Sequence, residues 1–136
     1  MKGAFIMKSA VRYYSRSGNT RLVAEAIAKG AGTQAVSVDA ADAEVREPVD
    51  VLFIGGALYA YGIDTNLKEY IRSLKKENVA KAVVFSTSWV SRHALDLIRE
   101  GLKKQGIRVS EETLYFRGKP NEKQQAEAEK FAKKFL

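Results

Sequence analysis

The stretch Ser15-Arg16-Ser17-Gly18-Asn19-Thr20 separates a β-type run that ends at Tyr14 from a helical run that begins near Arg21. The first amides of a helix have no partner within the helix, and they carry a partial positive charge. A glycine allows the backbone to approach a ligand closely, and serine and threonine hydroxyls add further donors. We therefore predict that this loop binds a phosphate group without the help of a lysine.

Apolar runs and helical patterns alternate along the remainder of the chain. Such alternation builds a parallel sheet with helices on both faces, joined by right-handed crossovers. The sequence therefore predicts an α/β fold of three layers, a doubly wound five-stranded parallel sheet in the order 2-1-3-4-5. Strands are predicted at Ser9–Tyr14, Ala35–Asp39, Val49–Gly56, Ala82–Ser86 and Val109–Phe116. Helices are predicted over Thr20–Gly30, after a cap at Asp64 or Thr65, after a cap at Ser91, and from Pro120 onward.

Three places depart from this alternation. Ala40–Pro48 is too short for a full crossover helix, so we predict an irregular turn there. Residues 1–6 are interpreted as an N-terminal extension of a single domain spanning 1–136, unless the first strand begins earlier. Arg12 lies inside the first strand, where an unpaired guanidinium would be costly. We expect Arg12 to pair with an acid or to reach the end of the sheet.

Composition narrows the classes of function. The 136 residues include no cysteine, which excludes thiol catalysis, disulfides and cysteine metal sites. The sequence has no His/Asp/Glu cluster with metal-ligand spacing and no Walker lysine motif. Uncharged runs fall short of the about 20 apolar residues that span a membrane, so we expect a cytoplasmic protein without a transmembrane segment. The net charge is +7.

The basic residues are spread along the chain without a run of five or more. We therefore expect no nucleic-acid partner, and a solvated basic face is the plainest interpretation. An acidic protein partner and peripheral contact with an anionic membrane stay open.

In a sheet of the predicted order, a ligand binds where the winding reverses direction, at the carboxyl ends of strands one, three and four. The loop Ser15–Thr20 follows strand one. A second loop follows strand three and runs through Gly62, and a third loop follows strand four and ends at Trp89. We expect these three loops to form one site.

Two of these loops carry a family resemblance. The run Tyr13-Tyr14-Ser15-Arg16-Ser17-Gly18-Asn19-Thr20, followed by an alanine-rich helix, resembles the FMN-phosphate loop of flavodoxins. The stretch Gly55–Gly62, followed by Leu67–Ile71, resembles the second flavin loop and its helix. The chain is most similar to the compact flavodoxin-domain proteins that include menaquinone-dependent protoporphyrinogen oxidase. The resemblance implies a flavodoxin-like fold, FMN as the cofactor, and transfer of electrons to and from a redox partner protein.

The resemblance also implies roles for the first loop. Hydroxyls and amides of Ser15, Ser17, Asn19 and Thr20 would hold the FMN phosphate. Arg16 would either add positive charge or point to solvent.

Aromatic residues of the other two loops are candidates to flank the isoalloxazine ring. Tyr59 and Tyr61 would do so unless they are surface or partner contacts, and Trp89 unless it packs in the core beneath the sheet end. Backbone groups from Leu58 to Gly62 would face the flavin edge, and Gly62 would let a peptide reorient. The full set of candidate cofactor-binding residues is Ser15, Arg16, Ser17, Gly18, Asn19, Thr20, Ala57, Leu58, Tyr59, Ala60, Tyr61, Gly62, Ser86, Thr87, Ser88 and Trp89.

Three functions remain open at this point. The first is an FMN-binding electron carrier, the second a small FMN-dependent oxidoreductase that acts on a quinone or porphyrinogen, and the third a flavin-free phosphate-binding or interaction module. The only histidine, His93, is interpreted as structural or solvent-facing, and the lack of another general acid favours the carrier. Mobile carriers of this family tend to be strongly acidic and dock on basic reductases, whereas this chain is basic, so its partners are expected to differ from the usual ones and an acidic redox partner is one alternative.

Overall fold

A computed structural model describes residues 7–60 and 62–136. The sheet is parallel and has the strand order β2-β1-β3-β4-β5, so the predicted fold class and order are confirmed. The strands are β1 (Ser9–Tyr13), β2 (Ala35–Ser37), β3 (Val51–Ala57), β4 (Ala82–Thr87) and β5 (Leu114–Phe116). The helices are α1 (Asn19–Ala31), α2 (Thr65–Ser73), α3 (His93–Lys104) and α4 (Glu122–Lys133), with a 3-10 turn at Lys76–Asn78. Residues 1–6, interpreted above as an extension, lie outside the described residues.

Each face of the sheet has its own apolar layer, because successive side chains of a strand point to opposite faces. Helices α1 and α4 cover one face, where Ile27 and Ala128 pack with Phe53 and Phe85 of the central strands. Helices α2 and α3 cover the other face, and their inner apolar residues include Leu67, Ile71, Leu95, Ile98 and Leu102. The central strands are therefore buried on both sides, which explains their nearly continuous apolar sequence.

The contact between α1 and α4 depends on Gly30. A Cβ built on Gly30 would lie 2.2 Å from the carbonyl oxygen of Glu129, whereas one on Gly101 would meet only the side chain of Ile71, at 3.2 Å from its Cγ2 atom. We expect Gly30→Ala to lower the free energy of unfolding by about 1–3 kcal/mol, because backbone must move to accept the methyl group. Gly101→Ala serves as the control and should change that free energy by less than about 1 kcal/mol, since helix propensity offsets a mild side-chain contact. Urea titrations followed by circular dichroism compare the two variants, and equal losses would contradict the assignment.

The segment between β2 and β3 contains no helix, which confirms the irregular turn predicted at Ala40–Pro48. The carbonyl oxygen of Ala43 accepts hydrogen bonds from Arg12 Nε at 2.6 Å and from the Tyr70 hydroxyl at 2.5 Å. Asn78 Nδ2 donates to the carbonyl oxygen of Val45 at 3.1 Å. Side chains from β1, α2 and the 3-10 turn thus hold a stretch of backbone that has no helix partner of its own.

The expectation for Arg12 was wrong. Its guanidinium donates to the carbonyl oxygens of Ala43 and Val11 instead of pairing with an acid or reaching the sheet end. Because no helix covers β1 at this place, the unpaired carbonyl of Ala43 is available as an acceptor. Burial raises the pKa of the Tyr70 phenol, so Tyr70 remains a donor to the same oxygen across the neutral range.

Three predicted element ends need correction. Val109 forms only an isolated bridge with Ala82, and a turn in which the Ser110 hydroxyl accepts from the Glu112 amide delays β5 until Leu114. The cap of α3 is Arg92, although the Ser91 hydroxyl accepts from the His93 amide. Pro120 precedes α4, whose first turn is held by a reciprocal capping box between Asn121 and Gln124. Differences of two residues also occur at the end of β2, at Ser37, and at the start of β3, at Val51, whereas Asp64 caps α2 as one of the two predicted alternatives.

Candidate functional site

The strand register brings the three predicted loops to one edge of the sheet. Tyr13 pairs with Gly55, and Ala57 pairs with Thr87, so β1, β3 and β4 end side by side. The Thr20 and Thr87 hydroxyls share a buried hydrogen bond of 2.7 Å, which joins the first turn of α1 to the end of β4. The first and third loops are therefore attached at their base.

The first loop leaves the start of α1 open. The hydroxyls of Ser15 and Ser17 accept from the amides of Gly18 and Asn19, at 3.0 and 3.3 Å. Gly18 occupies the cap position with a φ of 94°, and no atom lies within 4 Å of a Cβ built on it. In the described structure no side chain caps α1 and no acid stands in its first turn. An anion at this point would meet unpaired amides and no repelling carboxylate.

The side chain of Thr20 is buried at the base of the first loop. It is 1% exposed, and its hydroxyl is engaged with Thr87. The resemblance implies both hydroxyls and amides of this loop as phosphate ligands; at Thr20 the hydroxyl already has a partner, so the amide is the group left for a ligand. Sequence patterns do not reveal this contact, because it joins residues 67 positions apart.

Arg16 connects the first loop to the second. Its Nε and Nη2 atoms both donate to Asp64 Oδ2, at 3.1 and 2.6 Å, and its guanidinium carbon lies 3.8 Å from the centroid of the Tyr59 ring. The Arg16 amide also donates to the Tyr59 hydroxyl at 3.3 Å. Arg16 therefore neither points freely to solvent nor presents an uncompensated charge. We call Arg16, Tyr59 and Asp64 the loop clamp.

Asp64 does two things in the loop clamp. Its Oδ1 accepts from the Asn66 amide at 2.8 Å and so caps α2, while its Oδ2 receives Arg16. The carboxylate lies just beneath the surface, 7% exposed. Burial alone would raise the pKa of Asp64, but the hydrogen bonds from Arg16 and Asn66 outweigh burial and hold that pKa below its usual value. The carboxylate is therefore charged, and paired, throughout the neutral range.

The second loop is a tight turn. The backbone of Tyr59 and Gly62 is paired in both directions, with N–H to O distances of 2.8 and 3.0 Å, and Gly62 adopts a φ of 107°. Only a residue without a Cβ adopts that φ readily, so the glycine is required by the turn. Ala60 lies exposed at its tip, and Leu58 is half-buried against the core. Tyr61 lies outside the described residues, and Ala57 is the last residue of β3.

Tyr59 has one ring face occupied by Arg16. A flat ligand can therefore stack only on its other face while the loop clamp is intact. Burial raises the pKa of the Tyr59 phenol, which remains neutral in the range where proteins are stable.

The third loop exposes only its last predicted residue. Ser86 and Thr87 belong to β4 and are buried, as is Ser88, whose carbonyl oxygen accepts from the Tyr115 hydroxyl. Trp89 is 66% exposed, which contradicts the alternative that it packs in the core. Its indole lies against Gly118, where a Cβ would come within 2.3 Å of the ring.

His93 begins α3 and is exposed, with its Nδ1 atom 3.7 Å from Asp96 Oδ2. This position agrees with a solvent-facing histidine. Within residues 7–60 and 62–136, no group of three or more metal-binding side chains is present. No helix in the same part of the chain is long and apolar enough to cross a bilayer.

Comparison with known proteins identifies the family of this chain. Residues 10–136 match the family model described as a flavodoxin domain. The chain belongs to the flavodoxin-domain family. A diflavin flavoprotein A 4 from Synechocystis is 33% identical over 128 residues, which cover 85% of this chain and 21% of that protein. The chain thus spans about a fifth of the curated relative.

Solved structures of flavodoxin-domain proteins share the fold. A flavodoxin from the domain Archaea is 24% identical, with a TM-score of 0.81 and coverage of 95% of this chain and 96% of that one. A flavodiiron core from Synechocystis sp. PCC6803 is 20% identical, with a TM-score of 0.78 and coverage of 95% and 35%. The predicted membership of the flavodoxin family is confirmed. The particular resemblance to menaquinone-dependent protoporphyrinogen oxidase stays a prediction.

Proposed function

We propose that this flavodoxin domain binds FMN at the carboxyl edge of its sheet and carries electrons between redox partners. The open, uncapped start of α1 is the observation on which the proposal depends, since an anion there gains amide donors and meets no acid in the first turn of the helix, while the nearby Asp64 carboxylate is paired with Arg16. The exposed ring of Trp89 and the free face of Tyr59 supply flat surfaces near the same edge. The donor set and the aromatic surfaces therefore fit a phosphate joined to a planar ring.

The chain's own residues would act as binding and orienting groups. The amides at the start of α1 would hold the phosphate, and the Ser15 and Ser17 hydroxyls, which now accept from backbone amides, would rotate to donate to it. Trp89, Tyr59 and Tyr61 would flank the ring, and the backbone from Leu58 to Gly62 would face its edge. When bound, FMN supplies the one- and two-electron chemistry.

The binding experiment compares FMN with riboflavin, which lacks the phosphate. We expect the protein to quench FMN fluorescence on titration, and Ser17→Ala to raise the FMN dissociation constant about tenfold, since a hydrogen bond to a charged group contributes about 1.5–3 kcal/mol. Riboflavin affinity should stay within about twofold, because only the phosphate contact is removed. Ser17 is preferred to Thr20 because Thr20→Ala would also break the buried bond to Thr87.

Ser73→Ala is the matched control, since Ser73 lies at the end of α2, away from this edge. Absence of any quenching by the unmodified protein would reject the flavin and leave the phosphate-binding module. Equal losses for FMN and riboflavin in Ser17→Ala would reject the placement of the phosphate.

A carrier is favoured over an oxidoreductase with its own substrate by the exposed position of His93, whose neighbour is Asp96. An enzyme for quinones or porphyrinogens needs a proton donor beside the flavin, and none of the three loops contributes a histidine or a free acid in the described residues. Stopped-flow mixing of the reduced protein with a soluble quinone tests this choice. Rapid multiple turnover without a partner protein would identify an oxidoreductase instead.

The net charge of +7 further supports an acidic redox partner, because opposite charges steer association and like charges oppose it. The acidity of the partner and the cytoplasmic location are both parts of this proposal.

A further inference from the structure

Two large apolar side chains stand exposed side by side in the loop between β4 and α3. Trp89 is 66% exposed and Val90 is 83% exposed. Apolar residues exposed singly need no explanation, but an adjacent aromatic and aliphatic pair beside a binding edge indicates a contact surface. The Trp89 ring lies on Gly118, so the loop between β4 and α3 and the loop between β5 and α4 form one continuous surface.

Three exposed cations belong to the same two loops as this apolar pair and Gly118. Arg117 and Lys119 flank Gly118, on which the indole rests. The guanidinium of Arg92 lies 5.1 Å from the ring of Tyr115, whose hydroxyl donates to Ser88 next to Trp89. The ion pairs of the described chain include none of these three cations. We call Trp89, Val90, Arg92, Arg117 and Lys119 the rim patch.

Charges elsewhere at this edge are largely compensated. Arg16 is paired with Asp64, and Arg21 with Glu25 at 3.3 Å. Near the rim patch, Asp96 faces His93, and Glu122 stands in the first turn of α4. Arg92, Arg117 and Lys119 have no ion pair within the described structure, so they leave positive charge uncompensated in the two loops that carry Trp89 and Gly118.

We propose that the rim patch is the docking surface for the acidic redox protein of the proposed function, on which this inference rests. An apolar centre that excludes water and a charged rim are the usual parts of a specific protein interface. Carboxylates around an apolar spot on the partner would face Arg92, Arg117 and Lys119, while that spot covers Val90. Because the patch adjoins the proposed flavin site, docking there keeps the distance for electron transfer short.

The test compares two variants of the FMN-loaded protein with the same change in charge. One carries Arg92→Glu, Arg117→Glu and Lys119→Glu. The control carries Lys75→Glu, Lys103→Glu and Lys104→Glu, three exposed lysines beyond α2 and at the end of α3. Helices run opposite to the strands in this fold, so the control lysines lie at the other edge of the sheet. A Val90→Ser variant removes the apolar centre without a change in charge.

An acidic rubredoxin is the partner probe, and a basic cytochrome c is its counterpart. The photoreduced protein loses one electron, and the ferric iron of the probe gains it and becomes ferrous. At about 0.1 M ionic strength, charges farther than about 10 Å from the contact are largely screened. We expect the rim variant to lower the second-order rate constant with rubredoxin about tenfold or more, and the control variant by less than about threefold. The rate with cytochrome c should rise in the rim variant.

Val90→Ser should lower the rubredoxin rate and leave its dependence on salt unchanged. FMN affinity and circular dichroism of all variants check that the site and the fold remain, so failure of the proposed function is seen separately as loss of FMN binding. Equal rate losses in the rim and control variants would overturn the proposal. So would Val90-dependent binding to vesicles containing phosphatidylserine, or Val90-dependent dimers in sedimentation, because either would identify a different occupant.

Discussion

Replacing Arg16 by leucine is expected to weaken FMN and riboflavin binding alike, each by about tenfold or more, because preorganised loops lose less freedom when a ligand binds. The Arg16 side chain holds Asp64 through two donors and covers one face of Tyr59. Without it, the first loop is joined to the second only by the bond from the Arg16 amide to the Tyr59 hydroxyl, and Asp64 keeps only its bonds from Asn66. The measurement is a fluorescence titration with both flavins.

Arg21→Leu is the matched control for this variant. Arg21 also pairs with one carboxylate, Glu25, and is exposed close to the same loop, but among the described residues it forms no hydrogen bond or ion pair with either of the other loops. Its removal changes the net charge equally and should alter both dissociation constants by less than about threefold, as for an exposed ion pair. If Arg16→Leu weakened FMN but spared riboflavin, Arg16 would be a direct phosphate ligand and the loop clamp would be the wrong description. Equal effects of the two variants would also contradict it.

Removing both donors to the Ala43 carbonyl is expected to cost more than the sum of the single changes. Arg12→Met and Tyr70→Phe should each lower the free energy of unfolding by about 0.5–1.5 kcal/mol, since the other donor remains. The double variant leaves a buried carbonyl without either partner and should lose about 2–4 kcal/mol. Ala43 itself is 3% exposed, so water does not readily replace the lost donors.

Urea titrations of the four proteins in this cycle give the coupling between the two side chains. Tyr13→Phe is the control, because Tyr13 is a half-buried tyrosine in β1 whose hydroxyl has no hydrogen bond within the described structure. Strictly additive losses in the double variant would show that Arg12 and Tyr70 do not share the support of this segment.

The sequence predicts the sheet order and the position of the site because both depend on local patterns. Buried strands are read from apolar runs, and the phosphate loop from small hydroxyl residues at a strand-to-helix junction. The same local reasoning places Asp64 at the cap of α2. Local patterns do not predict the ion pair between Asp64 and Arg16, because the two residues are 48 positions apart and meet only in the folded chain.

The remaining errors have the same origin. The segment Val109–Phe116 is predicted as one long strand, but the Ser110 hydroxyl offers the backbone a competing turn, so β5 is short. Hydrophobic periodicity does not predict whether a loop residue is exposed, so the sequence does not decide between a core and a surface position for Trp89. Its position depends on the contact with Gly118, which lies 29 residues away in the chain. Likewise, the acceptor of Arg12 is the Ala43 carbonyl, in the segment Ala40–Pro48. The sequence predicts that this segment has no helix, but it does not predict the path of its backbone.

The hydroxyl pair formed by Thr20 and Thr87 has a mechanical consequence. It joins the first turn of α1 to the last residue of β4, the strand next to the edge strand β5, beneath the loop that contains Trp89 and Val90. If a phosphate group bound at the start of α1 shifts that turn, the shift would reach the base of the loop that contains Trp89 and Val90 through this hydrogen bond. Binding of FMN and docking of the redox partner would thus both act on the hydrogen bond between Thr20 and Thr87.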